Sequence, residues 1–185
     1  MPRTETDFSE VIGSLYRATK GKGILLTAVG HAGKPNAMTL GWGLFGWYYH
    51  GRPVVVVAVR PACHTFSLLD EVEELVLSIP APDIEKAVLF CGTRSGRDCD
   101  KFAETGLTPV PSVNVKPPSI LECPVNIECR IYHKQRPPHF LLTPEHRERP
   151  LEAQHTIYFA EVLGTYRFRQ DRTEPGELSQ PGQGS

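Results

Sequence analysis

The sequence predicts a mainly β domain, an antiparallel barrel with short flanking helices. Three observations predict it. The run PVVVVAVR over 53–60 is unbroken and β-branched, as a strand buried on both faces requires. The second half reads as strand, with VNIECRIYH alternating apolar and polar and HTIYFAEVLGTYRF over 155–168 as its expected antiparallel partner. The helical stretches between strands are brief, which argues against a parallel α/β sheet.

Taken in order, DFSEVIGSLYRATKG predicts a short helix from Ser9, with Val11, Ile12, Leu15 and Tyr16 on one face and a stop near Gly21. GILLTAVG is a buried strand halted by HAGKP. After PVVVVAVR, HTFSLLDEV has helical spacing at Phe66, Leu69 and Val72, with Thr65 offered as N-cap. ELVLSIP over 74–80 is a third strand, and DIEKAVLF a helix capped by Asp83 that turns Ile84, Val88 and Leu89 inward. RDCDKFAETG is another short helix, closed by Gly106 where left-handed geometry favours glycine. Residues 107–124, rich in Pro and Val, are expected to be extended and to wrap the surface. Val125, Ile127, Cys129 and Ile131 then mark the apolar side of a half-buried strand, and the long KQRPPHFLLTPEHRERPLEAQ a surface arm. Residues 169–185 are polar and expected to be a disordered tail, leaving 1–168 as one domain.

Composition narrows the function. With 185 residues, 40% apolar and 22% charged, and 20 basic against 21 acidic side chains, the chain suits one well-cored domain and not a polyanion-coating surface. No nucleic acid partner is expected. No apolar run approaches the roughly 20 residues that span a bilayer, and MPRTETDFSE lacks the order of a secretion signal, so a cytoplasmic protein without a membrane partner is expected. Five irregularly spaced cysteines with no CxxC pair fit reduced thiols.

Three segments combine polar groups with tight turns. GKPNAMTLGWG over 33–43 carries Asn36, Thr39 and Trp42 among small residues that let a flat ligand approach the backbone; a plain turn into a strand reads the same way. VRPACHTF over 59–66 brings Arg60, His64 and Thr65 to a helix start, where free N–H groups and the dipole favour an anion; an N-cap threonine beside a surface arginine is the alternative. CGTRSGRDCDKF over 91–102 places Arg97 and Lys101 around a glycine-loosened turn. Its cysteines, Cys91 and Cys99, match no zinc spacing and no histidine lies among them, so no metal is expected; phosphate binding, subunit docking and a solvated loop remain. His31, His50, His133, His139 and His146 fall in loops or at strand ends, whereas His155 begins the last strand, within reach of a ligand oxygen.

In this order, NAMTLGW, VVVAVRPACHTF, FCGTRSGRDCDKFAETGLTPVP, PPSILECPVNIECR and HTIYFAEV closely resemble the flavin reductase-like family, in particular its flavoredoxin branch. The resemblance runs from about Gly21 to Gly164. It implies a Greek-key, FMN-binding split barrel, a homodimer, and FMN near the subunit interface. It further implies that Asn36, Ala37, Met38 and Thr39 line the isoalloxazine edge, that Trp42 lies beside the ring, and that Arg60, His64 and Thr65 form the phosphate-side segment. Lys101 joins them, supported by Ser95, Gly96 and Arg97, and His155 matches the family's histidine at this strand. Two departures stand out: the long 133–154 insert, and a polar C-terminus where relatives carry a longer segment bringing an aromatic residue to the flavin.

The activity expected is an NAD(P)H:FMN oxidoreductase in which the flavin accepts hydride and no catalytic acid or base is named. Nothing like a GxGxxG turn is expected, so NADH or NADPH would stack transiently on the flavin. The alternatives are a flavoredoxin-type electron carrier with a redox protein partner, and a non-redox flavin-binding protein.

Overall fold

A computed structural model describes residues 3–139, 142–143 and 150–169, apart from the side chain of Tyr49. The expected tail and part of the 133–154 arm, including His146, lie outside the described residues.

Among the described residues, ten strands and four α-helices are formed: β1 (Arg3–Glu5), α1 (Ile12–Lys20), β2 (Ile24–Val29), β3 (Pro35–Leu40), β4 (Leu44–Tyr48), β5 (Arg52–Val59), α2 (His64–Glu71), β6 (Glu74–Ile79), α3 (Glu85–Thr93), α4 (Lys101–Thr105), β7 (Pro109–Val110), β8 (Ser119–Ile120), β9 (Val125–Gln135) and β10 (Thr156–Phe168). The main sheet runs β3-β2-β6-β9-β10-β5-β4, with β1 added to the end of β10, and every pairing is antiparallel. β5 and β6 are consecutive in the main sheet's chain order, yet the β9–β10 hairpin lies between them, and α2 makes the crossing.

The sheet is apolar on both sides where the site forms. Ile24, Leu26 and Ala28 of β2 join Val55, Val57, Val59, Leu75, Leu77, Ile127, Tyr158 and Leu15 in one core. Leu25 points the other way and packs with Ala37, Ala87, Val88, Cys91, Phe102 and Ile120 in a second. Period-two alternation therefore gives β2 two apolar faces, one for the barrel interior and one for α3 and α4.

Several local expectations are corrected. The first helix opens with a 3-10 turn at Phe8–Glu10, capped by Asp7, before α1 begins at Ile12, and Tyr16 is exposed because it turns away from the Val11–Leu15 stripe. Cys63, not Thr65, is the N-cap of α2; Thr65 lies inside the first turn and its hydroxyl is engaged elsewhere. Asp83 makes no cap hydrogen bond, and Leu89 is 67% exposed because α3 turns Ala87, Val88 and Cys91 inward instead. In β5, Val54 and Val56 are only half-buried, while Val55, Val57 and Val59 are buried. In β9 the polar alternates Asn126 and Glu128 are fully buried too, because both side chains hold the 107–124 wrap against the sheet.

α4 shows how local chemistry sets an element. Asp100 accepts from the N–H groups of Phe102 and Ala103 at 3.1 and 3.3 Å, and Gly106 ends the helix at φ 70°. Asp100→Ala should lower stability by about 1 kcal/mol in urea denaturation. Hydrogen bonds from Ala103 N–H and then Lys34 hold the Asp100 carboxyl below the ordinary aspartate value. Its contribution is therefore present above the unfolded pKa and lost as pH falls through the folded one, so the mutant's deficit should shrink in acid. A deficit unchanged with pH would contradict this account.

Candidate functional site

One cavity of about 220 Å³ is lined by parts of all three polar segments. β3 supplies Asn36, Met38 and Thr39, the exit of β5 supplies Arg60, and the start of α2 supplies Cys63, His64 and Thr65. The turn after α3 supplies Arg94, Ser95 and Gly96, and α4 contributes Lys101. Thr65 and Lys101, 36 positions apart in the chain, thus face one hollow.

Donors dominate this hollow, and no carboxylate is among its lining residues. Lys101 is 5% exposed and its Nζ donates to the carbonyl of Cys91 at 2.7 Å. Burial pushes the ammonium pKa down. Arg60 and Arg94 form no ion pair among the described residues. His64 Nδ1 is buried without a hydrogen-bond partner. Burial, then the positive charges of Arg97 and Lys101, lower the His64 pKa, so the apoprotein imidazole is biased to its neutral form. Three cations, a hydroxyl and an imidazole nitrogen around a small volume make a receptor for an oxyanion.

The loop that closes the cavity is fixed by its neighbours. Arg97 is not among the lining residues; its Nη1 donates to the carbonyl of Ala62 at 2.8 Å and ties the 95–98 turn to the start of α2. Asn36 lies so close that a Cβ on Gly96 would sit 2.0 Å from its Oδ1, so only glycine fits that turn. Thr39 Oγ1 donates to the Val88 carbonyl, pinning β3 to α3.

The remaining expected residues lie elsewhere. Ala37 is buried in the second core and does not line the cavity. Trp42 and His155 do not line the cavity but meet edge-on, with ring centroids 6.4 Å apart. Thr156 pairs with Val59, which sets His155 beside Arg60 at the next position of the register. Sequence reasoning missed Arg94 as a lining group, although it stands three residues before Arg97 in CGTRSGRDCDKF.

Three other hollows lack such a donor set. One of about 180 Å³ lies between Tyr48, Arg52, Tyr132 and Glu161, where Arg52 pairs with Glu161. Another of about 330 Å³ is dominated by Asp70, Glu71, Glu73 and Glu74. The last, of about 220 Å³, lies between α1 and α3 beside the Lys22–Glu85 ion pair. No group of three metal-ligating side chains occurs among the described residues, and none of their helices is long and apolar enough to cross a membrane. Against expectation, GWGLFG over 41–46 has the GxGxxG spacing, but it forms an irregular link and the antiparallel edge strand β4 rather than opening a helix, so it lacks the context of a dinucleotide loop.

Comparison with known proteins agrees with this architecture. Flavoredoxin of Desulfovibrio vulgaris (Miyazaki F) superposes with a TM-score of 0.62 at 27% identity, covering 77% of this chain and 67% of that one. An FMN-binding domain of flavin reductases-like enzyme from Shewanella baltica shares the fold with a TM-score of 0.64 at 16% identity, over 90% of this chain and 77% of that one. An uncharacterised protein of Pyrococcus abyssi is 29% identical over 163 residues, 88% of this chain and 83% of its own length. The model of the flavin reductase like domain matches residues 17–180. The chain belongs to the flavin reductase-like domain family, and its antiparallel sheet with short flanking helices is the split barrel of that family.

Proposed function

We propose that this protein binds FMN and acts as an NAD(P)H:flavin oxidoreductase. The observation that carries the reading is the carboxylate-free cavity in which Lys101, Arg60, Arg94 and the Thr65 hydroxyl converge, within a family whose fold is an FMN-binding one. The residues fit a phosphate monoester: cations for its charge, the orphaned His64 Nδ1 for one more oxygen, and a glycine turn for close backbone approach.

Bound FMN supplies the ring that accepts hydride from NADH or NADPH. The protein binds and orients it. Lys101, Arg60, Arg94 and Thr65 hold the phosphate end, with Ser95, Gly96 and Arg97 shaping the loop around it. The β3 segment Asn36–Thr39 would lie toward the ring, with Trp42 and His155 near it. None of these side chains is assigned proton transfer. The flavin domain is taken as residues 1–168 with a polar tail over 169–185, working as a cytoplasmic homodimer.

The similarity to flavoredoxin favours a second reading, an electron carrier that receives electrons from a redox protein and ignores pyridine nucleotide. Adding FMN to the purified protein and then NADH or NADPH without oxygen separates the two. Rapid bleaching of the flavin band is the expected result. Inertness toward both nucleotides with FMN bound selects the carrier, and failure to bind FMN overturns both readings.

A further inference from the structure

The Thr65 hydroxyl is in an unusual position for a helical threonine. Thr19 and Thr93 donate to the carbonyls of Leu15 and Leu89, four residues earlier, at 2.8 and 2.9 Å. Thr65 stands in the first turn of α2, where no helical carbonyl precedes it. It is 1% exposed, it lines the donor-rich cavity, and its one hydrogen bond is received: Asn36 Nδ2 donates to Thr65 Oγ1 at 2.9 Å. No acceptor for its own proton is present among the described residues.

Asn36 is itself held in place. It is 5% exposed, carried by β3 opposite Ala28, and its Oδ1 lies against Gly96 where a Cβ would stand 2.0 Å away. The amide lies between Thr65 and the 95–97 turn, with its NH2 group toward the hydroxyl. A hydroxyl has one proton and two lone pairs. With one lone pair engaged by the Asn36 amide, the proton is left for an acceptor in the cavity that Thr65 lines.

We propose that Asn36 is a positioning residue that makes the Thr65 hydroxyl an obligate donor toward the phosphate end of the ligand, which favours a fully ionised phosphate ester over the uncharged alcohol. This rests on the reading of the cavity as a phosphate site. It also gives Asn36 a role distinct from the ring contact that family resemblance implies. Asn36 contributes to affinity through Thr65 and needs no contact with the flavin ring.

The test compares FMN with riboflavin, which shares the ring and ribityl chain and lacks the phosphate. Fluorescence titration gives each dissociation constant and hence a phosphate preference. Thr65→Val should lower that preference about tenfold or more, the share of one hydrogen bond to a charged acceptor. Asn36→Ala should lower it about three- to fivefold, since the hydroxyl stays but loses its orientation. In the Thr65→Val background, Asn36→Ala should change the preference no further, whereas Thr65→Ser should retain it. Asn36→Leu, closer in shape, gives the same readings should the alanine variant not fold.

Equal losses of FMN and riboflavin affinity in Asn36→Ala would assign the residue to the ring and overturn the proposal. A further fall in preference in the double mutant would overturn it as well, because Asn36 would then reach the phosphate independently. A wild-type protein with no preference for FMN over riboflavin is a different outcome, which removes the phosphate reading of the cavity and the proposal with it.

Discussion

Lys101→Met should weaken FMN binding by about two orders of magnitude while the protein stays folded, as read by fluorescence titration and thermal denaturation. Methionine matches the length and apolar stem of lysine and removes the charge. In the apoprotein that charge is a burden: Lys101 is 5% exposed, and its ammonium donates to the Cys91 carbonyl at 2.7 Å. Removing it leaves that carbonyl unpaired but also relieves the desolvation of an ammonium, so the two effects on stability oppose each other. Binding has no such compensation, because a dianion entering the cavity loses its most buried cationic partner. A dissociation constant within about threefold of wild type would reject the role.

The pH dependence gives an independent check on the same residue. Burial holds the folded pKa of Lys101 below the unfolded value. Between the two values the unfolded state binds more protons, so apoprotein stability from this group rises with pH in that window. The methionine variant should lose that slope. Persistence of the full slope in Lys101→Met would assign it to another group.

The second large effect concerns the wrap that backs the site. Glu128 is fully buried and its carboxylate accepts from Val113 N–H at 2.8 Å, Asn114 N–H at 2.7 Å and Asn114 Nδ2 at 3.1 Å. Asn114 Nδ2 also reaches Tyr166 Oη at 2.8 Å, so one carboxylate joins the wrap to β9 and β10. Glu128→Ala should cost about 3–5 kcal/mol in urea denaturation, because buried N–H donors lose their acceptor and a cavity opens. Glu128→Gln should lose less, since the shape and one oxygen remain. FMN affinity should fall only secondarily, through loosening of the Ile120, Phe102 and Cys91 packing that carries α3 and α4. A loss below about 1 kcal/mol for the alanine variant would mean water replaces the carboxylate without penalty.

What the sequence determined by itself was whatever depends on neighbours within a few positions. The β-branched run predicted β5, alternation predicted β9 and β10 as partners, and Gly106 predicted the end of α4 through its left-handed backbone. Most of the residues that line the donor-rich cavity were legible for the same reason: Arg60, His64, Thr65, Ser95, Gly96 and Lys101 sit in short polar strings at turns and helix starts. Separate motifs in a fixed order then carried the family resemblance.

Only the tertiary structure decided the partners. Asn36 meets Thr65 across 29 positions, Arg97 meets Ala62 across 35, and Glu128 meets Val113 across 15. In none of these cases does the sequence name the partner, because side-chain hydrogen bonding depends on which strands pair and in what register. Thr65 has the residue type of an N-cap, yet the antiparallel pairing of β2 with β3 brings an asparagine amide to its hydroxyl. Periodicity marks Glu128 as the polar side of a half-buried strand. The wrap covers that side, and its N–H groups make a buried carboxylate the stable choice there.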